Sequence, residues 1–258
     1  MKVLDTPRAV IDIRWFCWLW VVLGLGACGA GPDESGSAGA GGNEPLEADA
    51  GSSSGTPPGS PGSPRIVFLG TSLTAGFGLE DPADAYPAVI ESRLREADLG
   101  YAVTNAGVSG DTSAGGLARL GSILRDSLAV LVVELGANDG LRGQSVEALR
   151  RNLGEIATRT ATAYPDATIV LAGMEAPPNL GPEYTGAFRA VYPDLAEERG
   201  LALVPFLLDG VAGERAMNQD DGIHPNVEGH RRVAETVWAV LEGILRARCQ
   251  GDGACEAA

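Results

Sequence analysis

The sequence predicts an α/β protein: a three-layer α/β/α sandwich around a five-stranded parallel sheet. Two observations carry this. Between residue 65 and about 248, short apolar runs of strand length alternate with longer stretches of helical pattern. Such alternation builds βαβ units, in which helices cover a parallel sheet. The conspicuous glycines and polar residues follow directly after the apolar runs, where the carboxyl ends of parallel strands gather and ligands bind.

Taken in chain order, residues 1–27 read as an export signal. Lys2, Arg8 and Arg14 give a positive start, Trp15 to Gly26 form an apolar core too short to span a bilayer comfortably, and Leu25-Gly26-Ala27 precede Cys28. That order is similar to bacterial lipoprotein signals, in which the cysteine is acylated and becomes the new N-terminus. Cys28 is therefore the expected lipidation site, and the expected location is the bacterial cell envelope. Residues 28–64 are Gly, Ser, Pro and Ala with scattered acids; they have little to bury and are predicted to form a disordered tether. Gly51-Ser52-Ser53-Ser54-Gly55 inside it matches the G-x-S-x-G pattern, but that pattern carries chemistry only on a strand-turn-helix elbow and is set aside.

The region 65–248 is one domain of ordinary size and holds strand segments at 66–69, 102–105, 130–135, 168–172 and 202–204. Helical patterns fill 86–97, 114–125, 146–163, 184–199 and 227–247. Ser72 follows the first strand, Gly107 and Asp111 the second, Asn138 and Asp139 the third, and Asp221 and His224 the fifth after a longer loop. The tail, 249–258, contains Cys249 and Cys255. Export permits disulfides, and the glycines between them allow a small loop, so a bond between these two is expected.

Composition narrows the function. The formal charge is -15, and loss of residues 1–27 removes three basic and two acidic side chains, leaving about one more negative charge. Such a surface repels phosphate backbones, which excludes nucleic acid as a partner. No His/Cys cluster has metal-ligand spacing, so neither metal nor cofactor is expected. The one lysine is Lys2, in the segment expected to be cleaved, so a Ser-Lys dyad is unavailable. A serine nucleophile would need a histidine base, and the base an orienting carboxylate. Of the two histidines, His230 lies in a helical pattern with no acid placed to serve it. In Asp221-Gly222-Ile223-His224-Pro225 an acid stands three residues before the histidine and a proline fixes the backbone after it. Each candidate has a plainer alternative. Ser72 could cap the following helix, Gly107 and Asn138-Asp139-Gly140 could be turn residues, and Asp221 could pair with an arginine.

Gly70-Thr71-Ser72-Leu73, Gly107, Gly136-Ala137-Asn138-Asp139 and Asp221-Gly222-Ile223-His224 resemble, in order, the four blocks of the SGNH (GDSL-type) hydrolases. The similarity extends from 66 to about 238 and looks closest to the arylesterase and thioesterase/lysophospholipase branch. The resemblance implies a flavodoxin-like SGNH fold with Ser72 as nucleophile, His224 as general base and acid, and Asp221 orienting the histidine. It implies an oxyanion hole from the backbone N–H groups of Ser72 and Gly107 and the side-chain amide of Asn138. One position departs: Thr71 stands where the family usually has Asp, which leaves the positioning of the oxyanion loop open. The stiff, apolar loop from Ala176 to Pro182 suits an acyl chain, with Pro178 and Leu180 as candidate substrate contacts.

The expected function is that of a serine esterase acting on acyl esters or thioesters through an acyl-enzyme. The alternatives are a carbohydrate O-deacetylase on the same scaffold and a non-catalytic acyl-binding lipoprotein. The expected partners are a small acyl ester or thioester and, through Cys28, a membrane; the chain is expected to be a monomer.

Overall fold

A computed structural model describes residues 63–252. The expected signal peptide, Cys28, the tether up to residue 62 and Cys255 lie outside them.

Five strands form one parallel sheet: β1 (Arg65–Gly70), β2 (Ala102–Gly107), β3 (Val130–Glu134), β4 (Thr168–Ala172) and β5 (Ala202–Val204), in the order β2-β1-β3-β4-β5. The runs Ile66 to Leu69, Val130 to Val133 and Ile169 to Ala172 are almost wholly buried. Strands covered on both faces read as continuous β-branched and aliphatic runs, which is why these were visible in the sequence.

Among the described residues seven α-helices accompany the sheet: α1 (Ser72–Ala75), α2 (Tyr86–Glu96), α3 (Ser113–Ile123), α4 (Ala137–Leu141), α5 (Val146–Ala163), α6 (Pro182–Arg199) and α7 (Val227–Asp252). The chain moves from β1 outward to β2 and then reverses across β1 to β3. Right-handed crossovers therefore put α2 on one face and α3, α5 and α6 on the other. The packing agrees: α2 lies against α7, α5 lies between α3 and α6, and both layers sit on the sheet. The reversal creates a switch point at the carboxyl ends of β1, β2 and β3, where an open α/β sheet binds its ligand.

Two details differ from the expected organisation. The helix expected to stop at residue 247 continues to Asp252, so Cys249 sits on α7 and not in a separate tail. Its partly buried side chain packs on the core and is disulfide-bonded. The short helices α1 and α4 have no sequence signature, because four or five residues span too little of a 3.6-residue period.

Candidate active site

Ser72 opens α1 directly after β1, which lies between β2 and β3 in the sheet. Thr71 caps this single turn and Gly76 ends it in the left-handed conformation, at φ 73°. Far along the chain, Gly222 turns the backbone at φ 69° and presents Asp221 and His224 to the serine. His224 Nε2 lies 3.0 Å from Ser72 Oγ, and its Nδ1 lies 2.6 Å from Asp221 Oδ2. The other carboxylate oxygen of Asp221 accepts the backbone N–H groups of Ile223 and His224, at 2.9 and 3.0 Å. The imidazole contact, with these two N–H groups behind it, holds the Asp221 carboxyl down at about 2, from an ordinary 3.8. Asp221 is thus a carboxylate at neutral pH and accepts a hydrogen bond from Nδ1–H, which leaves the Nε2 lone pair for the serine hydroxyl. Phe77 lies against the imidazole, with ring centroids 4.7 Å apart.

The serine turn rests on Glu134, the last residue of β3. Its buried carboxylate accepts from the Thr71 N–H at 2.7 Å, the Thr74 N–H at 3.2 Å and both threonine hydroxyls. Burial raises this carboxyl to about 7, against the lowering effect of those bonds.

Asn138 lies on α4 and lines the cavity beside Ser72. Its Nδ2 donates to the Asp111 carbonyl at 2.8 Å, which orients the amide and leaves a second N–H. Its neighbour Asp139 is buried and accepts from the N–H and hydroxyl of Ser113, at 2.8 and 2.5 Å.

Gly107 is not brought to the cavity. Its N–H donates to the Asn105 side chain at 3.0 Å, and a Cβ there would overlap the Ala75 backbone. Its role is close packing of α1 on β2. Gly110 occupies the place assigned to it, lining the cavity with Ser72 and Asn138. Asp111 N–H bonds to the Val108 carbonyl, and Gly110 has φ 82°, so residues 108–111 form a type II turn that requires a glycine at its third position. The Ser109-Gly110-Asp111 sequence was the available signal. Arg119 braces this turn, bonding Asp111 Oδ2 at 2.6 Å, the Ala106 carbonyl at 2.7 Å and the Gly70 carbonyl at 2.9 Å.

The cavity has a volume of about 700 Å³, and Leu73, Leu141, Pro178, Leu208 and Ile223 contribute to a largely apolar wall. Pro178 is where the sequence placed it. Leu180 is not: it lies outside the wall, exposed and beside Gly143, because residues 178–180 curl into a 3₁₀ turn. Glu175 at the edge is 3.5 Å from Arg189. Among the described residues no group of three or more His, Cys, Asp and Glu is placed to hold a metal ion.

Residues 68–232 match the GDSL-like lipase/acylhydrolase family. The chain belongs to that family. It is 42% identical to Esterase TesA of Pseudomonas aeruginosa over 181 residues, covering 70% of this chain and 89% of that protein. It is 39% identical over 185 residues to Thioesterase 1/protease 1/lysophospholipase L1 of Escherichia coli strain K12, covering 70% and 84%. The crystal structure of TesA superposes with a TM-score of 0.66 at 42% identity, over 70% of this chain and 99% of that one. This GDSL-type chain is accordingly a serine hydrolase acting on ester bonds.

Proposed function

We propose that Ser72, His224 and Asp221 hydrolyse acyl esters or thioesters through an acyl-enzyme. The observation that carries this is the continuous relay from Ser72 Oγ to His224 to Asp221, at 3.0 and 2.6 Å. As Ser72 Oγ attacks the acyl carbonyl, its proton passes to His224 Nε2, and Asp221 stabilises the imidazolium. The imidazolium then protonates the leaving group. Water, deprotonated by the same nitrogen, cleaves the acyl-enzyme and restores the serine.

The developing oxyanion takes hydrogen bonds from the backbone N–H groups of Ser72 and Gly110 and from the free N–H of Asn138. In support, neither backbone N–H has an acceptor among the described residues, and all three residues line the cavity. The apolar wall supports an acyl chain over a sugar ring. Incubation with a reactive alkyl phosphonate, followed by peptide mapping, tests the assignment. Adduct on Ser72 with parallel loss of nitrophenyl-ester hydrolysis is expected; an adduct on another serine would overturn it.

We also propose that the domain is exported and held at the cell envelope by acylated Cys28, the reading supported by the ordered positive start, apolar run and Leu25-Gly26-Ala27-Cys28. The domain boundaries proposed with it are residues 1–27 for the signal, 28–64 for the tether and 65 to the end of α7 at Asp252 for the hydrolase. Mass spectrometry of the native N-terminus should show a modified Cys28, and an unmodified cysteine or another cleavage point would contradict it.

A further inference from the structure

Glu134 is completely buried, ends the central strand β3 and touches no substrate-facing surface. Buried carboxylates without a cationic partner are costly, and proteins keep them where every lone pair is used. Here the partners all belong to one structural unit. Oε2 accepts the N–H of Thr71 at 2.7 Å, the N–H of Thr74 at 3.2 Å and the Thr74 hydroxyl at 2.8 Å, while Oε1 accepts the Thr71 hydroxyl at 3.0 Å. The donors bracket Ser72 and Leu73. Gly70 is required by the same arrangement, because a Cβ on it would overlap Thr74 Oγ1 and lie 2.6 Å from Glu134 Oε2.

We propose that Glu134 is the positioning residue of the nucleophile turn, its carboxylate gathering the donors on either side of Ser72 so that the Ser72 N–H and hydroxyl alone remain turned to the cavity. The inference rests on the assignment of Ser72 as nucleophile. It also accounts for Thr71. A threonine brings a hydroxyl donor to an acceptor that is already negative, where an aspartate would bring a second carboxylate within hydrogen-bond distance of the first, and two such groups resist joint ionisation.

The arrangement depends on ionisation. A carboxylate is an acceptor only and suits four donors; a carboxylic acid must donate one bond itself, and the two backbone N–H groups cannot turn away. The groups around the pair are the Tyr86 hydroxyl of α2, 2.7 Å from Thr74 Oγ1, the Tyr192 hydroxyl of α6, which donates to the Leu135 carbonyl, and Arg119 of α3, which bonds the Gly70 carbonyl. None of them bonds to Glu134. Burial brings the carboxyl to about 7, so protonation falls inside the working range of a histidine-dependent hydrolase.

The test is Glu134→Gln in the full chain, assayed on a nitrophenyl ester between pH 5 and 9. Expected are a kcat lower by about 10–100-fold with KM within about twofold, since misplacement of a reacting atom acts mainly on turnover. Phosphonylation of Ser72 should slow in parallel. The acid limb of log(kcat/KM) should be steeper in the parent protein, where Glu134 must be ionised, than in Glu134→Gln, which lacks that ionisation. A folded Glu134→Gln protein with parental kcat and an unchanged acid limb would overturn the proposal, as would loss of thermal stability alone. If that variant fails to fold, Thr71→Val decides, because it deletes one donor to the carboxylate, together with only the long 3.5 Å cap on the Leu73 N–H: a severalfold lower kcat at constant KM is expected, and parental kcat would overturn the proposal. Failure of the underlying assignment is separable, since it would show as activity retained by Ser72→Ala.

Discussion

The side-chain amide of Gln219 donates to the Phe77 carbonyl at 2.7 Å, tying the histidine loop to the segment that follows the serine turn. The same nitrogen donates to the Pro225 carbonyl at 2.9 Å, and the Gln219 backbone N–H donates to the His224 carbonyl at 2.8 Å. Two segments more than 140 residues apart thus share one fastener, and Phe77 lies on the His224 ring. Gln219→Ala is expected to lower kcat about tenfold through looser alignment of serine and histidine. The lost hydrogen bonds should cost about 1 kcal/mol each. Steady-state kinetics and a thermal melt on one preparation check both parts.

The glycines separate packing from chemistry. At Gly107 a Cβ would overlap the Ala75 backbone, so Gly107→Ala should destabilise the fold by about 1–3 kcal/mol, the range for forced overpacking. At Gly110 the nearest heavy atom to a Cβ is 3.8 Å away, and only the left-handed backbone, at φ 82°, opposes a side chain. Gly110→Ala should cost about 1–2 kcal/mol in stability while reducing kcat well beyond Gly107→Ala assayed below its melting point. Equal kinetic effects would remove the distinction.

Asn138→Ala is expected to lower kcat by ~10²–10³ with little change in KM, because its amide acts on charge that develops only in the transition state. Its remaining N–H is aimed by the bond to the Asp111 carbonyl, so Asn138→Asp, which cannot donate, should be as damaging. A raised KM at parental kcat would make Asn138 a ground-state contact.

Two buried groups pull the stability curve in opposite directions. Glu134 is raised from 4.5 to about 7 by burial, so the folded state holds its proton more tightly; stability is greatest below 4.5 and falls as pH rises toward 7. His230, 1% exposed, is lowered from 6.5 to about 4 by burial; stability is greatest above 6.5 and is lost as pH falls through 4. Each contributes roughly 3 kcal/mol across its window. The parental protein should show little net slope from this pair between pH 4.5 and 6.5. His230→Gln should expose a decline with rising pH, and Glu134→Gln a decline with falling pH, in denaturant titrations at four or five pH values.

The long elements were legible because buried strands announce themselves as runs such as Val130 to Val133, and five helical patterns separate them. Ser72, Asp221 and His224 were legible because scarcity did the sorting: with two histidines and one lysine, few sets are possible. Gly107 and Gly110 are hard to tell apart from sequence because one ends β2 and the other follows three residues later, and the sequence does not show which N–H is spent on Asn105. Leu180 was misplaced because the curl of residues 178–180 depends on contacts with the rest of the domain. Glu134, Arg119 and Gln219 were missed for a common reason. Each makes a bond to a backbone group 49 or more residues away, and nothing in the local pattern marks a carboxylate, guanidinium or amide for such a bond.

The relay is tested most directly by the turnover of Ser72→Ala on a chromogenic ester, measured with its thermal melt. The account predicts a kcat lower by at least ~10³, an unchanged melting temperature within a few degrees, and no further loss in Ser72→Ala/His224→Ala, since the members of one catalytic unit are not additive. A folded Ser72→Ala protein that turns the ester over at the parental rate would contradict it.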